Sequence, residues 1–213
     1  FWVNSSINLL SDLLLSLKEH SEEELTLARA KELVDMEPGD LMEYAENHQA
    51  KSNLYRRYPA VSRVFQGSQH VTQQCVVADL AMRMQLLGDE RVVEATSGKG
   101  CVDLGGVLRD GGVLILEIPE AYSRQLIPMT NLFVVQLFST LMRESMATPD
   151  GKLPRPCSVF LDEFGSAVGK LVDFDCRLST LRSRAVSVLA TVQTLSQIES
   201  LYGKGAGAIL EGF

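Results

Sequence analysis

The run Ser158-Val159-Phe160-Leu161, preceded by Pro156 and closed by Asp162-Glu163, constrains this chain more than any other stretch. A continuous apolar run of strand length, bounded by proline and acids, is expected of a strand buried on both faces of a parallel sheet. A helical stretch of about residues 168–184 follows. Next comes a β-branched run, Val186-Ser187-Val188-Leu189-Ala190-Thr191-Val192, and then a helix from Thr194 to about Tyr202. Strand, crossover helix, strand is the grammar of a doubly wound α/β domain. Upstream, Arg91 to Thr96 and Val113-Leu114-Ile115-Leu116 read as further short strands, and residues 129–146 as a helix.

Residues 1–90 carry helical periodicity and are expected to form an all-α domain, with 91–213 forming the α/β part. Ile7, Leu10, Leu14 and Leu17 mark one stripe of a first helix over 2–18, widened by Leu9 and Leu13. Thr26 is the expected N-cap of a second helix, which ends near Met36 before Pro38-Gly39. A third starts at Asp40 and continues toward Tyr58. A fourth covers 68–87, with Val71, Cys75, Ala78, Met82 and Leu86 as its stripe and Gly88 as its C-cap.

With 213 residues and 46% hydrophobic composition, the chain has the material for a packed core and does not read as disordered. Its charge is uneven. Residues 1–50 hold three Lys/Arg against eleven Asp/Glu, whereas residues 51–95 hold six against four. A surface that coats nucleic acid without sequence preference should be basic, so the acidic end suits a basic protein partner or a solvated helix face. Cys75, Cys101, Cys157 and Cys176 form no CxxC pair and read as reduced, mostly buried thiols. His20, His48 and His70 have no neighbouring metal-ligand pattern, so no metal site is expected of them. No uninterrupted apolar run approaches the roughly 18 residues of a spanning helix. A start at Phe1, inside a helical pattern, is expected of a piece of a longer chain.

Asp162 and Glu163 follow a central strand at its carboxyl end, where ligands bind open α/β sheets. In a Walker B arrangement the first acid serves Mg²⁺ on nucleotide phosphates and the second activates the attacking water. Gln193 ends the next strand, and neighbouring strands lie about 4.8 Å apart, so its amide is expected in the same crevice. There it can sense a γ-phosphate or hold the lytic water, or simply cap the helix starting at Thr194. Arg182 and Arg184 precede that strand at its opposite end. Each can form a surface salt bridge, or reach a neighbouring subunit's phosphates as an arginine finger.

Taken in order, Phe160-Leu161-Asp162-Glu163-Phe164-Gly165, Leu181-Arg182-Ser183-Arg184-Ala185-Val186-Ser187, Val192-Gln193-Thr194-Leu195-Ser196-Gln197-Ile198 and Leu201-Tyr202-Gly203 resemble type IV secretion coupling proteins of the TraG/TraD class. The likeness is best over about 112–213. It implies an α/β fold: a RecA-like P-loop NTPase core, here with a partial parallel sheet, carrying an all-α helical domain. It also implies ATP and Mg²⁺ as cofactors and a homo-hexamer anchored in the bacterial inner membrane by chain outside this segment, working on the cytoplasmic side. Relaxase or effector proteins, secretion-channel proteins and DNA are the partners implied. By the same resemblance Asp162 and Glu163 match the Walker B acids, Arg182 the arginine-finger region and Gln193 the glutamine of a downstream motif. Ala185 departs from the family, which commonly has Gly there, and this leaves the choice between Arg182 and Arg184 open.

No GxxxxGK[ST] motif occurs. Gly98-Lys99-Gly100 lacks both the first glycine and the Ser/Thr of a phosphate loop and reads as an ordinary loop. Gly203-Lys204-Gly205-Ala206-Gly207 follows a helix and reads as a flexible turn. In the family the phosphate loop lies upstream of the segment resembling Phe1, so this stretch alone is not expected to turn over ATP. Tyr55-Arg56-Arg57-Tyr58 interleaves stacking and phosphate-pairing groups, as a nucleic-acid contact or as plain helix surface. Two other functions fit the same residues: another hexameric translocase of the superfamily, and a non-enzymatic helical binding module whose acids are structural.

Overall fold

A computed structural model describes residues 2–20, 25–37, 40–41, 44, 70–97 and 102–213. Tyr55–Tyr58, His48, Cys101, Lys99 and most of the third helix lie outside the described residues. The chain divides into two compact units, Phe1–Cys101 and Val102–Phe213.

In the first unit, α1 (Trp2–His20) packs against α2 (Leu27–Asp35) and α3 (His70–Arg83), and a 3-10 turn (Gln85–Gly88) leads into α4 (Glu90–Thr96). Thr26 caps α2 as its sequence predicts, its hydroxyl accepting from Arg29 N–H at 3.0 Å. The buried stripes are displaced from those expected. On α1 the core residues are Leu9, Leu13 and Leu17, while Ile7 is exposed. On α3 and the turn after it they are Val76, Leu80 and Met84, while Cys75 and Met82 face solvent. Asp79 explains part of this shift. Its carboxylate accepts from Ser6 Oγ of α1 at 2.7 Å and from Arg83 Nε at 2.9 Å, which fixes the facing side of α3. Gly88 lies within the 3-10 turn and does not cap α3. Arg91 to Thr96 is helical, not extended: Asp89 caps it by accepting from Arg91 N–H, and only Val92 of its residues is buried.

The second unit runs α5 (Leu104–Asp110), α6 (Ser123–Met146), β1 (Cys157–Leu161), a π-helical turn (Phe164–Val168), α7 (Phe174–Ser183), β2 (Val186–Ala190), α8 (Leu195–Tyr202) and α9 (Ala206–Glu211). β1 and β2 pair in parallel, from Cys157 opposite Val186 to Leu161 opposite Ala190. Val159, Leu161 and Val186 turn inward to Phe138, Leu141, Phe164, Phe174 and Leu181. Each fully buried large apolar side chain contributes about 1.5–3 kcal/mol. Residues Glu120–Met146 are long and apolar enough, by length and composition, to cross a bilayer, although no uninterrupted apolar run within them is that long. Val134, Phe138 and Leu141 nevertheless place α6 in this core.

The expectation that β1 is covered on both faces is corrected. Phe160 is 71% exposed and its register partner Leu189 55%, because the helices pack on one side of the two strands only. Val113–Leu116 is irregular and exposed, with no strand partner among the described residues; β propensity makes no strand without a ladder to join. The glycine-rich stretch after Tyr202 is a 3-10 turn (Gly203–Gly205) that runs directly into α9. Cys157 is partly buried, and Cys75 and Cys176 are exposed, so the described thiols are free but not mostly buried.

Candidate functional site

Period-two alternation along β1 and β2 sets three rungs on the open face of the sheet. Ser158 and Ser187 are joined through their hydroxyls at 3.0 Å, Phe160 stands beside Leu189, and one step past each strand Asp162 stands beside Thr191. Thr191 Oγ1 donates to Asp162 Oδ1 at 2.5 Å and accepts from Glu163 N–H at 3.0 Å. The backbones are zipped past the strands as well: Thr191 N–H donates to Leu161 O and its carbonyl accepts from Phe164 N–H.

Glu163 ends the extended path. Its φ of 49° is left-handed, which costs an ordinary residue about 1–2 kcal/mol. The bonds to its N–H hold that turn from one side, and its carbonyl, accepting from Ser166 and Ala167 N–H, holds it from the other. The turn swings the Glu163 carboxylate toward Gln193, whose Nε2 donates to Oε1 at 3.2 Å and Oε2 at 3.1 Å; Ser166 Oγ adds a bond to Oε2 at 2.8 Å. Asp162, Glu163 and Gln193 are therefore gathered at one sheet end, all exposed. Asp162 Oδ1 also accepts from Glu163 N–H at 3.1 Å, whereas Asp162 Oδ2 has no hydrogen-bond partner among the described residues.

Gln193 lies three residues past β2 and is fixed by the helix that follows. Thr194 caps α8 without accepting from its backbone, its hydroxyl meeting that of Ser196 at 2.7 Å instead, and Gln197 reaches back to accept from Gln193 N–H at 3.1 Å. This is the logic of a capping box shifted by one residue. Gly165 permits the approach: a Cβ there would stand 2.8–2.9 Å from Gln197 Oε1 and Cβ. Immediately below, Phe164 lies in an aromatic group with Phe174, at 5.1 Å, and Tyr202, at 6.5 Å between ring centroids. The Tyr202 hydroxyl accepts from Leu171 N–H, and burial pushes its pKa up.

The two arginines differ. Arg184 is turned inward: its Nη1 donates to Ser145 Oγ at 3.0 Å and Gly151 O at 3.2 Å. Arg182, in the last turn of α7, is exposed and has no hydrogen bond or ion pair among the described residues. Ala185, between them and β2, has a left-handed φ of 64°.

Thr191, Ser166 and Gln197 were not singled out from the sequence. Thr191 could have been found by counting the strand pairing three steps beyond Val159 and Val188, which sets it opposite Asp162.

A family model for the type IV secretory system, conjugative DNA transfer, matches residues 1–211. The chain belongs to that family. Its fold is shared with solved structures of the bacterial conjugative coupling protein TrwB. The unbound monoclinic form of TrwBdeltaN70 superposes with a TM-score of 0.75 at 18% identity, covering 100% of this chain and 45% of that one. TrwB with the non-hydrolysable GTP analogue GDPNP gives 0.73 at 20%, and TrwB with ADP and Mg²⁺ gives 0.73 at 19%; each covers 100% of this chain and 46% of that one. This chain thus spans less than half of the chains it matches. It has their RecA-like P-loop NTPase fold in part, with an all-α portion. No curated protein matches it.

Proposed function

We propose that this chain supplies the all-α domain and the acid-pair half of the motor domain of an ATP-driven coupling protein, which moves DNA or protein substrates toward a type IV secretion channel. The observation that carries the reading is the bonding of Gln193 to both oxygens of Glu163 beside Asp162, at the carboxyl end of two parallel strands. Asp162 suits a hard divalent cation: it is an exposed carboxylate with one oxygen tied by Thr191 Oγ1 and Glu163 N–H and the other without a hydrogen bond among the described residues. Bound there with nucleotide, Mg²⁺ would offset phosphate charge. Glu163 is the base that takes a proton from the attacking water. Gln193 orients that carboxylate and would sense the phosphate of a bound nucleotide.

Arg182 is the cation available to a neighbouring subunit in a homo-hexamer, whereas Arg184 is committed to its own fold. The phosphate loop belongs to chain outside this sequence, as does a membrane anchor that would place the motor on the cytoplasmic side of the bacterial inner membrane. The all-α domain meets relaxase or effector substrates.

The test uses the full-length protein. Glu163→Gln should lower ATP hydrolysis by about 10²-fold or more while nucleotide binding is retained. Turnover equal to wild type would refute the role of Glu163.

A further inference from the structure

We propose that Thr191 is the positioning residue of the acid pair, and that its hydroxyl fixes Asp162 in the orientation that serves a nucleotide-bound divalent cation. The inference rests on the reading of Asp162 given above and assigns a role to a residue two positions before Gln193.

A hydroxyl has one proton to give and lone pairs to accept with. The Thr191 proton goes to Asp162 Oδ1, and a lone pair takes the N–H of Glu163. Donating to one acid and accepting from the backbone of the next, the side chain couples the two acids' orientations. The Thr191 backbone already holds Leu161 and Phe164. The hydroxyl shares the Glu163 N–H with Asp162 Oδ1, which accepts it at 3.1 Å, and adds to that backbone bond the side-chain bond that sets the rotation of the Asp162 carboxylate. With Oδ1 engaged, Oδ2 is the oxygen without a hydrogen bond among the described residues. Groups that orient a metal-binding carboxylate typically change cation affinity by about 10–100-fold when removed.

The side chain is exposed, so a methyl in place of the hydroxyl is tolerated by the fold. Serine keeps the donor and acceptor; valine keeps the shape and loses both. The full-length protein is titrated with a fluorescent ATP analogue, with and without Mg²⁺, and its thermal unfolding is recorded. Thr191→Val should reduce the Mg²⁺-dependent gain in nucleotide affinity by about tenfold. Its Mg²⁺-free binding should stay at the wild-type value, and its unfolding temperature should fall by no more than about 5 °C, the loss of the hydroxyl's bonds. Thr191→Ser should keep the gain within about twofold, and Thr191→Ala should share the valine defect. A wild-type Mg²⁺ gain in the valine or alanine protein overturns the proposal, as does a serine protein as impaired as valine. Asp162→Asn separates the two levels. If it leaves the Mg²⁺ gain undiminished, the metal reading of Asp162 itself fails; if it abolishes the gain while Thr191→Val does not, only the role of Thr191 fails.

Discussion

Replacing Ala185 by glycine should stabilise this protein, although it removes a side chain and touches no charged group. Ala185 joins α7 to β2 with φ of 64°, where a Cβ crowds the following carbonyl at a cost of about 1–2 kcal/mol. The conformation is imposed from outside: the Ala185 carbonyl accepts from Cys157 N–H at 3.0 Å and the Arg184 carbonyl from Leu153 N–H at 3.1 Å, so the link cannot relax without opening the edge of the sheet. Glycine removes the crowding but loosens the unfolded chain, which costs about 0.4–1 kcal/mol. The difference leaves a net gain of about 0.5–1 kcal/mol, or a rise of about 2–3 °C in Tm for a chain of this size. Urea and thermal unfolding of the two proteins measure it. Ser179→Gly, in the exposed middle of α7, serves as the control and should lose about 0.5 kcal/mol. A loss of stability in Ala185→Gly as large as in the control would refute the strain argument.

Arg184→Ala should cost about 1.5–3 kcal/mol because it removes charge-assisted bonds to Ser145 and Gly151, whereas Arg182→Ala should stay within about 0.5 kcal/mol; equal losses in denaturant melts would contradict their different settings. Among the described cysteines, Cys75 and Cys176 should react first with a thiol reagent and Cys157 last, since burial pushes its thiol pKa up; mass spectrometry of partially labelled protein gives the order. Arg91 holds the Asp89 carboxyl down at about 2. The depressed value means that its contribution to stability is present above the ordinary pKa of 3.8 and is lost as pH falls from there toward 2. Arg91→Ala should return the Asp89 carboxyl toward 3.8 in an NMR titration, and an unchanged value would rule out this pairing.

The site was legible where chemistry and strand order coincide. Asp162, Glu163 and Gln193 are polar groups at the ends of neighbouring strands, and the parallel pairing brings them together as their spacing in the sequence implies. Arg182 and Arg184 are alike in sequence and opposite in setting, because only tertiary structure puts Ser145 and Gly151 beside one of them. Thr191 was hidden inside a β-branched run where its hydroxyl reads as one more strand former. The misplaced stripes of α1 and α3 have a similar cause: both helices are apolar around more than half their circumference, so periodicity names several faces and Ser6 with Asp79 decides which one is buried. Arg91–Thr96 shows a cap overriding strand propensity, and Val113–Leu116 shows propensity without a ladder.

Phe164 follows Glu163 directly and is fully buried, so the acid stands on a footing that cannot sink. The ring of Phe164 packs in turn against Phe174 and Tyr202, and Phe174 meets Phe213 edge-on at 6.1 Å. The left-handed turn that presents the carboxylate thus shares its support with the aromatic core, so a loss of volume among these rings would loosen the acid along with the core.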